Sequence, residues 1–562
     1  MGNIGNNKKF KLSVRVKLSV LVLFFLHSLF FHANEAPAPK LTVILVIDQF
    51  AAHLLQKVRP FVKHGFQSLL KNGIIYEHAF VPYGIPTTAP GHCSLNTGTT
   101  PSNHGIVSNT WRSRQQNVAA DQDQNYPTFF NEADGRSPVN IVLEGISDSF
   151  ARMSTPADPH YVFSVAGKSR SAICTANKLG KALWFDQDKG LFTSSRFYFN
   201  EFPQWVNDFN KKEDFYHENK SITWKSVFPL DHVAYKYVVN NGYDHTILKK
   251  SLINTTFKPN HMIHKKHDDL NKAYAYLELT PQINQHLFDL AFQTVQYHLK
   301  QKKRGRMLLW VCVSATDKIG HLMGPESYET FDMLYHLDRQ FGAFMKQIKR
   351  TIGLQNTLFV LTADHGIASI PELAKGRGHV HAQRINKKVL KTEINEFIEE
   401  KYGIVNCCTD VQAANVYLNL IESESKKNTV IHAVKRFLLS KKYIRNAWSY
   451  YELVTTPMVP GSIEALFRNQ IFLNRSGDII FQIAPHCLID DKKTGTAHDT
   501  PYSDNTHVPL ILYQQGVYEQ KTVIDRVYFT QLANSLAHVL KVPAPDASTM
   551  PILPKLKPFW QD

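Results

Sequence analysis

The sequence predicts an α/β sandwich with a largely parallel central sheet. Two observations carry that prediction. Leu41–Ile47, Arg306–Val313, 357–361 and 508–513 are apolar runs without polar alternation, as strands buried on both faces require. Stretches with helical spacing lie between them, and strands that alternate with helices build parallel sheets.

Taken in order, Leu41–Ile47 is the first buried strand, and 51–70 has helical spacing. A strand-like run follows at 73–81, then a turn-rich loop and a helix opening near Gly91. Residues 284–299 are amphipathic and lead into the strand at Arg306–Val313. Pro325 suits the first position of a helix. Phe331, Leu334, Phe341, Met345 and Ile348 then mark one apolar face. Strands at 357–361 and 508–513 complete the rhythm. Two regions break it and read as insertions, 185–272 and 380–483. The first is rich in aromatics, Asn, Lys and His and reads as a segment packed over the site. The second carries helical patterns at 388–401 and 430–439 and short strands near Ile471 and Asp478, as a smaller subdomain would.

The chain has 562 residues, 43% hydrophobic and 20% charged, ample material for a large core. Residues 8–17 are basic, 18–31 almost wholly apolar, and small residues follow at Ala33 and Ala36. Residues 1–36 thus read as a secretory signal peptide, with an uncleaved anchor as the alternative. No later stretch reaches the length of a membrane span. The formal charge is +16, which favours anionic substrates near the surface, but no nucleic-acid module is visible. Six cysteines without zinc-finger spacing are too few for a disulfide scaffold.

The chain is organised around Pro86-Thr-Thr-Ala-Pro-Gly-His-Cys-Ser-Leu-Asn-Thr-Gly98. The hydroxyl of Thr88 falls beside a helix N-terminus, where free N–H groups and the dipole favour anions. Such a hydroxyl needs a base or a metal to act as nucleophile. Metal donors are present near strand ends: Asp48, Asp317, His321, Asp364, His365 and His498. Mixed carboxylate and imidazole donors of this number suit two zinc ions.

These motifs resemble the alkaline phosphatase superfamily. Thr88-x-x-Gly-His, Thr97-Gly, Pro101, His104-Gly-Ile and Asn109 are similar to the phosphate-irrepressible, threonine-nucleophile alkaline phosphatases and to the nucleotide pyrophosphatase/phosphodiesterases. Lys168-Ser-Arg170 is similar to a Lys-x-Arg motif of the monoesterase branch, and residues 199–210 to another of its segments. The resemblance runs from about Leu41 to the C-terminal region. It implies a three-layer sandwich with inserted cap segments, and a catalytic domain over 37–562. It also implies a division of the donors. One zinc takes Asp48, Asp364, His365 and the Thr88 oxygen; the other takes Asp317, His321 and His498. Asn109, Lys168 and Arg170 then bind the phosphoryl oxygens.

The resulting expectation is an exported two-zinc alkaline phosphatase that cleaves small phosphate monoesters through phosphothreonine. Thr87 is the rival nucleophile. A nucleotide phosphodiesterase shares the zinc site but needs no Lys168 and Arg170 for a second dianion charge. A non-catalytic phosphate-binding protein would not need two metals. His92 is expected to order its loop, and His507 to hold a metal ligand in place.

Overall fold

The computed structural model describes residues 38–113, 116–212, 222–239, 253, 256–257, 274–301, 305–419 and 423–556. The expected signal segment, 1–36, lies outside the described residues, as does much of 213–273. No helix among the described residues is long and apolar enough to cross a membrane.

The apolar runs form the strands they predict. In chain order the central sheet takes β1 (Leu41–Ile47), β2 (Ile74–Phe80), β3 (His160–Ala166), β4 (Lys181–Asp186) and β5 (Leu191–Thr193). It continues with β6 (Arg306–Val313), β7 (Thr357–Thr362), β8 (His507–Val508), β9 (Leu510–Tyr513) and β10 (Lys521–Tyr528). Their order is β8-β2-β9-β7-β1-β6-β3-β4-β5, with β10 paired to β2. The run β7-β1-β6-β3-β4 is parallel throughout. Antiparallel pairs occur only towards the two margins. Every residue of β1 is buried, so its continuous apolar run reflects cover on both faces.

Helices α1 (Ala52–Val58), α2 (Gly65–Asn72), α3 (Thr88–Thr97), α4 (Ser169–Ala176), α5 (Pro281–Leu299), α6 (Ala315–Met323) and α7 (Tyr328–Thr351) flank this sheet. One group joins α5 to α7 and α7 to α2; the other joins α3 to α4. Both groups pack on β3 and β6, so the sheet lies between helical layers.

Several boundaries differ from expectation for local reasons. The helical stretch 51–70 is two helices, because Pro60 has no N–H to continue the first ladder. The long helix does not begin at Pro325. Ser327 is its cap, and its hydroxyl accepts from the Thr330 N–H at 3.2 Å. Pro509 cannot donate to a ladder, so 508–513 divides into β8 and β9. No strand forms at Ile471; the strand near Asp478 is Ile479–Ile483.

Residues in 380–483 build a second core, separate from the main one. Strands Cys408–Gln412, Asn415–Leu418, Ile444–Ser449 and Ile479–Ile483 form an antiparallel sheet. Helices Lys387–Tyr402 and Glu424–Leu439 accompany it, the latter starting six residues before the expected 430. This unit leans on the loop that precedes Thr88. Ile85 belongs to its core, the Gly84 N–H donates to the Leu466 carbonyl at 2.9 Å, and the Asn469 side chain donates to the Pro82 carbonyl at 2.8 Å. Within 185–272, Leu191–Thr193 belongs to the central sheet as β5, and the described segment 222–239 packs on α7. There Asp332 accepts from the Trp224 indole at 2.6 Å and from the Tyr235 hydroxyl at 2.5 Å.

Candidate active site

Parallel strands deliver their following residues to one edge of a sheet, and here that edge collects the candidate donors. Asp48 directly follows β1, and Asp364 and His365 follow β7. Asp317 and His321 lie four apart on α6, after β6, and so share a helix face. Lys168 precedes α4, after β3. His498 arrives by the loop that leaves the smaller unit.

Thr88 comes from the loop after β2. The helix opens at Thr88 itself, three residues earlier than the expected Gly91. Thr87 is extended (φ −139°, ψ 166°) and its hydroxyl is buried without a hydrogen-bond partner. The Ala89 N–H is taken by Asn109 Oδ1 at 2.8 Å. That bond occupies the Asn109 oxygen and leaves its two amide hydrogens as the donors of the group. Gly91 lets the helix sit on Asp364, because a Cβ there would fall 2.5 Å from the Asp364 carbonyl oxygen. His92 is fully buried; its Nδ1 lies 2.9 Å from the Thr88 carbonyl and 3.3 Å from Asp364 Oδ2. Both contacts lie within or against the loop that His92 is expected to order.

The donors converge in two groups. Asp317, His321 and His498 form one; Asp48, Asp317 and His365 form the other, with all donor atoms of each group within 4.8 Å. His321 Nε2 is 3.1 Å from Asp317 Oδ1 and His498 Nε2 is 3.8 Å from it. His365 Nε2 is 3.4 Å from both Asp48 Oδ1 and Asp364 Oδ2. Asp364 thus joins the second group, and Asp317 borders both.

Three features show that these residues fit metal ions. Asp48 Oδ1, Asp364 Oδ2 and His365 Nε2 are buried, mutually close and without hydrogen-bond partners, a costly arrangement unless something else satisfies them. All three histidines place Nδ1 on a backbone carbonyl: His321 on Thr496 at 2.8 Å, His365 on Gly366 at 2.9 Å and His498 on Pro86 at 2.8 Å. A carbonyl only accepts, so Nδ1 carries the hydrogen, and in the neutral ring, the form that binds a metal, Nε2 presents a lone pair. Finally, three carboxylates crowd a water-poor site. Burial, then Asp317 and Asp364, push Asp48 up to about 6. Burial would raise Asp317 too, but His321 and Lys168 hold it well below the usual carboxylate range.

Lys168 donates to Asp48 Oδ2 and to Asp317 Oδ2, both at 2.5 Å. Its ammonium therefore stands at the junction of the two groups. Arg170 lies near it, with Nε buried and unpartnered.

Sequence reasoning missed Gln49. Its N–H donates to Asp364 Oδ1 at 3.1 Å and its Nε2 to Asp317 Oδ1 at 2.9 Å, tying the two groups together. It does so from a left-handed backbone (φ 67°). A signal was present in Gly320, a glycine inside α6 that costs helix stability. A Cβ there would lie 2.0 Å from Gln49 Oε1. His507 does not hold a donor. Its Nε2 bonds the Glu77 carbonyl at 2.7 Å and its ring stacks on Phe80, because it belongs to the sheet margin at β8.

Fold and site together define an α/β protein of the alkaline phosphatase superfamily. The chain belongs to the type I phosphodiesterase / nucleotide pyrophosphatase family, whose pattern matches residues 42–509. It is 28% identical over 532 residues to a protein of Myroides odoratus named calcium-transporting ATPase, covering 92% of this chain and 94% of that one. It is 27% identical over 530 residues to alkaline phosphatase PafA of Elizabethkingia meningoseptica, covering 92% and 94%. The crystal structure of wild-type alkaline phosphatase PafA superposes with a TM-score of 0.81 at 25% identity, over 92% of this chain and 99% of that chain.

Proposed function

We propose that this protein is an exported two-zinc alkaline phosphatase that hydrolyses small phosphate monoesters through a phosphothreonine intermediate. The observation that carries the reading is the meeting of Asp48 Oδ1, Asp364 Oδ2 and His365 Nε2, none with a hydrogen bond, against the helix that Thr88 opens. Similarity to alkaline phosphatase PafA over 92% of the chain supports it. Asp48, Asp364, His365 and Thr88 would hold one ion, and Asp317, His321 and His498 the other. When bound, two such ions supply Lewis acidity and positive charge to both ends of an in-line displacement.

The chain's own groups supply the rest. The Thr88 hydroxyl loses its proton to solvent and its Oγ attacks phosphorus; the bond to the ester oxygen breaks, the alcohol leaves with a proton from solvent, and the phosphoryl group stays on Thr88. Water then attacks the same phosphorus, the bond to Thr88 Oγ breaks, inorganic phosphate leaves and the hydroxyl is restored. The first turn of α3 favours the incoming anion. Asn109 and Arg170 donate to non-bridging oxygens, the guanidinium in a two-point fork. Lys168 holds the carboxylates of both groups in register. The N-terminal basic and apolar segment supports export.

A monoester dianion has one charge more than a diester. A donor arranged for that charge is left poorly paired by a diester. Wild-type enzyme should therefore prefer an aryl phosphate monoester to its methyl diester in kcat/KM. Arg170→Ala is the cleaner test, because Lys168 also holds the carboxylates. It should lower monoester kcat/KM by about 100-fold and the diester value by less than about fivefold. Equal losses on both substrates would favour a nucleotide phosphodiesterase instead.

A further inference from the structure

The loop that leads to Thr88 and the segment that carries Asn109 both meet the smaller unit, just past its helix Ile463–Arg468. Phe467 of that helix is buried in the smaller core. Its ring packs on Gly84, where a Cβ would fall 3.0 Å from it. The Phe467 carbonyl accepts from the Gln470 N–H at 3.1 Å, and Gln470 is itself only 2% exposed.

The Gln470 side chain touches both stretches. Its Oε1 accepts from the Ile85 N–H at 3.0 Å, in the loop that leads to Thr88. Its Nε2 donates to the Val107 carbonyl, just before Asn109. Ile85 and Val107 are buried, and buried backbone groups need partners. A primary amide carries an acceptor and a donor at one end, so one side chain serves an N–H and a C=O together. A ring of contacts closes here. It runs from Gln470 through Ile85 to Thr88, across the Ala89 N–H to Asn109 Oδ1 at 2.8 Å, and back through Val107. The bond at Ala89 alone lets the two segments twist about it; a second tie on the other side removes that freedom. Sites that bind one group from two segments need such support, because small displacements are felt in the chemistry.

We propose that Gln470 is a positioning residue: its amide fixes the spacing of the Thr88 and Asn109 segments, so that Thr88 Oγ and the Asn109 amide hydrogens meet one phosphoryl group. The inference deepens the phosphatase reading and rests on it for the role of Asn109.

The test is a double-variant cycle on zinc-loaded full-length protein, with metal content and Tm determined for each variant. It reads kcat/KM for an aryl phosphate monoester and, by calorimetry, the Kd of inorganic phosphate. Gln470→Met keeps the length of the side chain and removes both hydrogen bonds. It should lower kcat/KM and raise the phosphate Kd by about tenfold each. In an Asn109→Ala background the same substitution should change either quantity by less than about twofold, because the group it positions is gone. An equal loss in both backgrounds would overturn the proposal, since a general weakening of the fold acts whether or not Asn109 is present. Wild-type values in Gln470→Met would overturn it too. Should Gln470→Met fail to fold, Gln470→Asn decides, since it keeps a buried amide but withdraws it by one methylene. A loss that depends on Asn109 supports the proposal; a loss independent of Asn109, or none, overturns it. Failure of wild-type enzyme to hydrolyse monoesters would sink the phosphatase reading, and the phosphate titration, which needs no turnover, would still decide the role of Gln470.

Discussion

Thr88 and Thr87 are chemically alike, and position alone separates them. Thr88 is the first residue of α3, with Asn109 bonded to the next N–H. Thr87 precedes the helix in extended backbone, and its hydroxyl is buried and unbonded. Thr88→Ala should reduce kcat by about 10⁴-fold or more, in line with other removed nucleophiles, while Thr87→Ala keeps most activity. Acid-quenched enzyme should carry phosphate on Thr88; label on Thr87 would mean the wrong hydroxyl has been chosen. Gln49 carries a different prediction. It touches Asp317 and Asp364 through one residue, and groups that orient metal donors typically change metal affinity by about 10–100-fold. Gln49→Ala keeps the N–H bond to Asp364 and loses the Nε2 bond to Asp317. Chelator competition should therefore show weaker zinc binding by about that factor. Affinity equal to wild type would mean that Asp317 is oriented without Gln49.

At the scale of elements, strands were legible where the sequence left no choice. Leu41–Ile47 has no polar face to offer solvent, so it must be covered on both sides. The strand-end donors followed from such runs. What stayed hidden depended on contacts distant in sequence. Gln49 reaches its partners across 268 and 315 positions, and no local pattern announces a left-handed glutamine. The place of Lys168 between Asp48 and Asp317 has the same cause, since three strands must align before the ammonium has partners. The smaller unit was legible as a break in rhythm, but its attachment was not. Arg475 makes part of that attachment. Its Nη1 donates to the Gly105 carbonyl at 2.7 Å and the Asn140 carbonyl at 2.6 Å, and its guanidinium lies over Trp111. Arg475→Met should lose about 3–6 kcal/mol of local stability, the scale of two charged hydrogen bonds. Hydrogen exchange should quicken in Asn415–Leu418 and Ile479–Ile483 but not in β1 or β6. Unchanged exchange in both strands of the smaller unit would show that its other contacts suffice.

Across the whole molecule, the site opposes the fold that surrounds it. Asp48 and Asp364 are buried just past strands of the main core, and Asp317 is buried in the first turn of α6 beside them. Like charges in a water-poor interior destabilise the folded state unless cations compensate them. Lys168 supplies one positive charge to this group, shared between Asp48 and Asp317. Asp364 receives the Gln49 N–H at Oδ1, and its Oδ2 has no hydrogen bond. Divalent cations would remove the imbalance, and they would do so only in the folded chain, where the three strand ends meet. Ligands that bind only the folded state stabilise it by mass action, about 4 kcal/mol at a thousand times Kd. Chelation should thus abolish phosphatase activity and also lower the Tm, and added zinc should restore both. The two readouts separate two roles. Lost activity with an unchanged Tm would mean that the strand ends tolerate their charges unaided, so that the metals serve chemistry alone. Full activity and an unchanged Tm in protein verified as metal-free would remove the metal site from this account altogether.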